Sequence, residues 1–389
     1  MEALLLSYLS PPAIGGVERL VFALVGALRD AGHTPELWAT DLQSFRGPRH
    51  HERTATVDMI PVRRFHTRRW PIGVLDPHHL MWIGLERALR ARPRALIHAH
   101  SLPSWQAHAA LRRAAAGAPV VLTVHHDIEG LRAYAQLSRG QALLDRLRTA
   151  MGTNPRLMLT VTTAREQPFW VGEAGLPSDR VAVIPNGCDP AEFDAPTAAH
   201  IAAAQAQWPA GAFRLLFVGR LVHAKAVDVL LRALAEAPDV SLLLVGPDGG
   251  EGTALRAQTR DLGLADRARF LELPREQLAA TFRAADAVVV PSRSGENFGI
   301  VAVEAMAARR PIIVTDCGGL PEVVTDEESG LVVPRDDPSA LYTALIRLRD
   351  NPDLRARLGD AGRARVLAHY TWERVTGAFL RLYQRVLAA

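Results

Sequence analysis

Two cations five positions apart and two carboxylates eight apart are the residues of this sequence with most chemistry to offer. Arg220 and Lys225 lie in Gly219-Arg220-Leu221-Val222-His223-Ala224-Lys225-Ala226, directly after an apolar run and before a helical pattern. A guanidinium fork and a compact ammonium at a helix start suit one dianion, such as a departing diphosphate. Composition adds weight to Lys225. Of 45 basic residues 44 are Arg, and Lys225 is the only lysine. A sequence that puts Arg at nearly every cationic position keeps Lys where the planar fork is the wrong shape.

The carboxylates belong to Pro291-Ser292-Arg293-Ser294-Gly295-Glu296-Asn297-Phe298-Gly299-Ile300-Val301-Ala302-Val303-Glu304. A buried strand ends at Pro291, a polar loop carries Glu296, and a helix begins near Phe298 or Gly299. The first N–H groups of that helix face a phosphate or a sugar. Glu304, inside the helix, is placed to accept hydrogen bonds from the vicinal hydroxyls of a ribose. No D-x-D sequence that would hold a metal–diphosphate occurs. The expected chemistry is therefore metal-independent and needs no cofactor beyond a nucleotide-diphosphate substrate.

Two loops of the first half complete the set. Gly15 and Gly16 open onto a helix, where free N–H groups and the dipole suit an anion. They do not form G-x-G-x-x-G, which counts against a dehydrogenase. His125 follows an apolar strand in Thr123-Val124-His125-His126-Asp127, and His98-Ala99-His100-Ser101 follows the strand before it. A histidine at a strand end can donate to a phosphate or hydroxyl. No H-E-x-x-H or Cys/His spacing supports zinc, and the two cysteines, Cys188 and Cys317, suggest neither disulfide nor metal.

The elements that must position these residues are short apolar runs alternating with helical periods, the pattern of α/β domains with parallel sheets. Strands are expected at residues 4–7, 36–39, 95–99, 120–124, 158–161 and 181–184, and again at 214–218, 241–245, 269–271, 287–290, 312–315 and 330–333. A first helix carries Val17, Leu20, Val21, Leu24 and Leu28 on one face and stops at Gly32. Residues 43–79 read as long loops and short strands crowded with Arg46, Arg49, His50, His51, Arg63, Arg64, His66, Arg68, Arg69 and Trp70. At 389 residues the chain exceeds one core. We expect a doubly wound, Rossmann-like domain at 1–190 and a second such domain at 191–370, facing it across a cleft. A last helix, 371–389, is expected to pack back toward the first domain.

The bulk figures exclude several classes. An apolar share of 48% with 22% charge is globular, no run is long enough to span a bilayer, and the N-terminus lacks a basic n-region and cleavage site. A cytoplasmic protein is expected. Residues 1–190 hold 22 Arg against 16 acidic residues, while the rest carries a slight acidic excess. That asymmetry fits an anionic acceptor or peripheral contact with an anionic membrane surface; nothing points to nucleic acid.

Together the loops resemble retaining glycosyltransferases of the GT-B fold, family four of the sequence classification. The matching pieces are Gly15-Gly16-Val17-Glu18, Ile97-His98-Ala99-His100-Ser101, Val183-Ile184-Pro185-Asn186-Gly187-Cys188-Asp189, Gly219-Arg220-Leu221 with Lys225, Glu296 with Glu304, and Gly318-Gly319-Leu320-Pro321-Glu322-Val323. The resemblance runs from about residue 3 to about residue 375. It implies that Arg220 and Lys225 hold the donor diphosphate, Glu304 the ribose, and Glu296 the hydroxyls of the transferred sugar. Backbone N–H groups of Phe298, Gly299, Ile300 and Val301 complete the donor site, and His125 contacts the sugar or phosphate. Transfer of a hexose with retention is implied, from a GDP-mannose or UDP-hexose type of donor to an acceptor sugar, polyol, lipid-linked sugar or small metabolite. Two departures stand out: Ala226 follows Lys225 where glycine is usual, and Ala308-Arg309-Arg310-Pro311 replaces a turn of small residues and glycine. The rival readings are a nucleotide-sugar epimerase of the same build and a non-catalytic sugar-nucleotide-binding protein.

Overall fold

The computed structural model describes residues 1–10, 15–43, 48–57, 59–69, 80–209 and 213–389. Arg46 and Trp70, singled out above, lie outside that set, as do Pro11, Pro12, Ala13 and Ile14 before the Gly15-Gly16 pair. The chain forms two compact units, Met1–Asn186 with Trp372–Ala389, and Gly187–Thr371. The helix Trp372–Ala388 thus belongs to the first unit and not to the second, which precedes it in sequence.

The strands of the first unit are β1 (Glu2–Leu6), β2 (Thr34–Thr40), β3 (Thr54–Val57), β4 (Ile60–Phe65), β5 (Thr67–Arg69), β6 (Leu80–Trp82), β7 (Leu96–His100), β8 (Val120–Thr123), β9 (Leu157–Val161) and β10 (Val181–Val183). Among the described residues they build an eight-stranded sheet ordered β10-β9-β8-β7-β1-β2-β4-β3, with β5 and β6 paired separately. All neighbours in the large sheet are parallel except the β3–β4 hairpin at its edge. Strands buried on both faces read as continuous apolar runs, and β1 shows why. Ala3 and Leu5 join one core with Leu20, Leu24 and Leu28 of the helix Gly16–Asp30, while Leu4 and Leu6 join a second on the opposite face. Val375, Phe379, Tyr383 and Val386 of the last helix lie in the first of these cores. Burying such side chains stabilises by roughly 1.5–3 kcal/mol each, enough to hold the last helix to this unit.

The second unit contains β11 (Phe213–Val218), β12 (Val240–Val245), β13 (Ala268–Leu271), β14 (Ala287–Val290), β15 (Ile312–Thr315) and β16 (Leu331–Val333). Its sheet is parallel throughout, ordered β13-β12-β11-β14-β15-β16. The period-two rule again divides the residues: Leu216, Leu243, Val288 and Ile312 face one core, and Leu215, Phe217, Leu242 and Val289 the other. The order steps outward from β11 in one direction to β13 and in the other to β16. Ligands of such sheets sit at the carboxyl ends of the strands where the order reverses, here between β11 and β14. No described helix is long and apolar enough to cross a membrane.

Candidate functional site

The loops after β11 and β14 meet at that reversal point. The β11 loop runs into a single 3-10 turn, His223–Lys225, and then the helix Val227–Ala235. The β14 loop lies against it: the Arg293 N–H donates to the Ala224 carbonyl at 2.9 Å, and the Arg293 guanidinium donates to the His223 carbonyl at 3.1 Å and to Asp228 at 2.9 Å. This lacing brings Lys225 to Glu296. The Lys225 Nζ and the Glu296 Oε1 form an ion pair, and the Ser292 hydroxyl donates to the same oxygen at 2.8 Å.

Glu296 is held from behind as well. Its backbone carbonyl accepts from the Gly319 N–H at 3.0 Å. Gly318 passes so close that a Cβ there would lie 1.7 Å from that carbonyl oxygen, and its φ of +52° is one that glycine takes without strain. A carboxylate only 7% exposed is thereby fixed beside the solitary ammonium, both contacts falling on its Oε1.

The helix Ile300–Ala307 starts at Gly299, in the left-handed region at φ 85°. Ile300 and Val301, in its first turn, have N–H groups without an intrahelical acceptor by position. Phe298 is buried and packs edge-on against Tyr370 at 5.5 Å, which anchors the loop before the helix. Glu304, one turn on, is 3% exposed. Its Oε1 is 2.7 Å from the Arg275 guanidinium, which also reaches Glu192 at 3.1 Å. The two carboxylates hold Arg275 more firmly protonated, against the opposing effect of its burial. Arg220 is exposed and makes no side-chain hydrogen bond or ion pair among the described residues, so its fork is open to an anion.

The first unit presents its own strand-end set. The N–H of Gly15, which caps the helix Gly16–Asp30, donates to the Glu18 carboxylate at 3.1 Å. An internal carboxylate thus takes one of the helix-start donors expected for a ligand. Burial pushes the Glu18 pKa upward against the backbone hydrogen bonds that oppose it. His100 Nδ1 and His125 Nε2 are 3.1 Å apart with the rings stacked, which leaves Nδ1 of His125 for a ligand. Desolvation, then the neighbouring His126, lowers the His125 pKa to about 3. His125 is accordingly neutral at pH 7 and offers a hydrogen-bonding group, not a positive charge. Beside it His98 is buried between Phe379 and Tyr383, with Nδ1 at 2.6 Å from the Tyr383 hydroxyl and Nε2 at 2.6 Å from Thr123. The last helix therefore carries a polar group into the strand-end network.

Sequence reasoning named Lys225, Glu296 and Glu304 but not the residues that hold them. Ser292 was legible as part of the loop, and Gly318-Gly319 as part of the motif. Arg275 had no local signal, because it begins a different helix 29 positions before Glu304. Among the described residues no cluster of three or more His, Cys, Asp or Glu is arranged to hold a metal ion.

Comparison with known proteins follows the same division. Residues 14–192 match the sequence model of Glycosyltransferase Family 4 and residues 201–365 that of Glycosyl transferases group 1. The D-inositol 3-phosphate glycosyltransferase of Saccharomonospora viridis is 34% identical over 312 residues, 76% of this chain and 70% of that protein. The protein of the same name from Streptomyces scabiei is 37% identical over 238 residues, 58% of this chain and 53% of its own length. The chain thus spans about half the length of several such relatives. Among solved structures, sucrose-phosphate synthase from Thermosynechococcus elongatus superposes with a TM-score of 0.80 at 25% identity over 100% of this chain and 99% of that one. Anabaena HepE in complex with UDP gives 0.75 at 22% identity over 98% and 99%.

Proposed function

The chain belongs to glycosyltransferase family four, with the GT-B architecture of two Rossmann-like units, and on that premise we propose that it moves a hexose from a nucleotide-diphosphate donor to an acceptor hydroxyl with retention. The carrying observation is the loop pair of the second unit. Lys225, Glu296 and Ser292 form one hydrogen-bonded group at the carboxyl edge of the sheet, in the same unit as the unpaired Arg220. In this reading Arg220 and Lys225 stabilise the negative charge that grows on the diphosphate as the glycosidic bond breaks. These two cations of the protein then take the part a metal would play. Glu296 accepts from hydroxyls of the transferred sugar, which aligns the anomeric carbon. Glu304, held by Arg275, accepts from the ribose hydroxyls.

The first unit takes the acceptor in this reading, with neutral His125 as a hydrogen-bonding group at its strand ends. A phosphorylated polyol is the acceptor class we favour, because relatives at 34–37% identity bear the name D-inositol 3-phosphate glycosyltransferase and this unit holds the chain's basic surplus. With no carboxylate yet assigned as nucleophile, return of the acceptor on the face the leaving group vacates is the preferred route, the departing phosphate taking the acceptor proton.

A thermal-shift screen of nucleotide sugars tests the donor. The true donor at 100 times its Kd should stabilise by about 2.7 kcal/mol, with and without a chelator. NMR of the product then reads the anomeric configuration. An inverted centre refutes retention, and a donor shift that vanishes with chelator refutes metal independence.

A further inference from the structure

The first unit contains a second feature that shares no residue with its strand-end loops. A groove of ≈ 1110 Å³ runs along one face of the sheet, between β4 with its partner β3 and the helix Leu85–Arg90. This exceeds the about 300–1,000 Å³ typical of small-molecule pockets. Leu85, Ala88 and Leu89 of the helix share a core with Trp38 and Phe65 of the sheet. Beyond them the alternation of β4 leaves Pro61 and Arg63 exposed, and these line the open part of the groove.

The charge of the wall is one-sided. Arg53, Arg63, Arg64, Arg87 and Arg92 line the groove, with Glu36 the single carboxylate among the described lining residues. Glu36 is already engaged, since it pairs with Arg92 at 3.0 Å and accepts from the Trp38 indole at 2.9 Å. Arg92 is likewise committed, to Glu2 and Glu36. Arg53, Arg63 and Arg87 are not: each is exposed, and among the described residues none makes a side-chain hydrogen bond or ion pair. Arg63 is nevertheless held in place, its guanidinium 5.1 Å from the Trp38 ring centroid and 5.0 Å from that of Phe65. Stacking fixes the plane of an arginine while leaving its N–H donors unspent. Apolar surface lies beside the charge, from Pro61, Phe65, Ile83 and Ala88.

We infer that this groove is a binding site for an organic phosphate, whose phosphate is held by Arg63 and Arg87 with Arg53 and whose apolar body lies along Pro61, Phe65 and Ile83. A solvated basic face needs no concavity, no stacked arginine and no apolar floor. The same chemistry is offered by a soluble phosphate ester and by the headgroup of an anionic lipid, and the experiment separates these sources.

Hydrogen–deuterium exchange on the full chain is measured with inorganic pyrophosphate, and separately with phosphatidylcholine vesicles with or without phosphatidylglycerol. Slower exchange is expected in residues 53–66 and 83–92. These are resolved from residues 219–225, where pyrophosphate at the proposed donor site is read independently. In Arg63→Gln/Arg87→Gln the half-saturating concentration for the first two segments should rise at least tenfold, because two charge-assisted contacts are lost, while residues 219–225 respond as before. Arg87→Gln alone, which touches no partner, gives the same direction if the double variant is unstable. Protection by pyrophosphate identifies a soluble phosphate; protection by phosphatidylglycerol vesicles alone identifies the headgroup. No protection from either probe, or protection unchanged in the variants, overturns the assignment.

Discussion

Replacing Lys225 by methionine should damage the fold of the second unit as well as donor binding, and the structure says by how much. The side chain of Glu296 is 8% exposed and that of Lys225 is 25% exposed. Without the ammonium, Glu296 retains the Ser292 hydroxyl at 2.8 Å and no countercharge from Lys225. Breaking a fully buried pair costs about 3–5 kcal/mol; the partial exposure of Lys225 lets water screen the remaining charge, and about 2–3 kcal/mol is expected. For a unit of this size that is a fall in Tm of about 5–10 °C. Glu296→Gln should cost under about 1 kcal/mol, since the stranded ammonium can reach water. The double variant Lys225→Met/Glu296→Gln removes both charges and should recover about 2 kcal/mol relative to Lys225→Met. Urea denaturation of all four proteins gives the cycle. A Lys225→Met variant with the wild-type midpoint, or a double variant no more stable than Lys225→Met, refutes the reasoning. The same set separates fold from function, for the double variant should be stable yet fail to gain stability from any nucleotide sugar.

Glu166 is expected to make the first unit less stable as pH rises. Burial lifts its pKa from 4.5 to about 7 despite four hydrogen bonds from Thr162 and Thr163. Its contribution is full below pH 4.5 and declines by about 3 kcal/mol as pH passes through 7. Glu166→Gln, whose amide oxygen can accept the same bonds, should gain on the wild type across that window, and a stability difference that is flat from pH 4 to 8 would refute the shift. Gly318→Ala should cost at least about 2 kcal/mol and abolish donor stabilisation, since its Cβ meets the Glu296 carbonyl at a φ of +52°. Gly26→Ala, in a helix with nothing within 4 Å, should be neutral or stabilise by about 0.5–1 kcal/mol; equal effects at the two glycines would remove the argument for close approach.

How much was legible depended on the range over which each signal acts. Every strand expected in the two parallel sheets is present, because a strand buried on both faces is a local run of apolar residues. The β3–β4 hairpin was read only as short strands and loops. Its alternation is real, with Ile60 and Val62 inward and Pro61 and Arg63 outward, but the adjacent Arg63 and Arg64 hide it in a segment already crowded with charge. The charge itself was legible and its disposition was not. Arg49 is committed to Asp41 at 2.6 Å, Arg64 turns inward to Ser10 at 3.0 Å, and Arg63 stacks on two rings. Such choices are made by partners far away in sequence, as are Arg275 for Glu304 and Tyr383 for His98.

Ala226 joins the local and the distant signals. At this position the family pattern carries glycine, and the backbone shows the reason, since Ala226 sits in the left-handed region at φ 49°, ψ 38°, as the cap of the helix Val227–Ala235. An L-residue there carries about 1–2 kcal/mol of strain. The methyl group is fully buried, which offsets part of it. This turn sets the exit of the chain directly after Lys225. The loop pair therefore concentrates three local choices that ordinary propensity disfavours: the single lysine of an arginine-rich chain, a left-handed alanine, and a glycine at Gly318 with no room for a side chain. Departures from local preference collect where a structure is constrained by something other than stability. All three converge on Lys225 and Glu296, and the position of that ion pair at the carboxyl edge of a reversing parallel sheet matches the proposed donor site, where a charged ligand would be met by groups already in place.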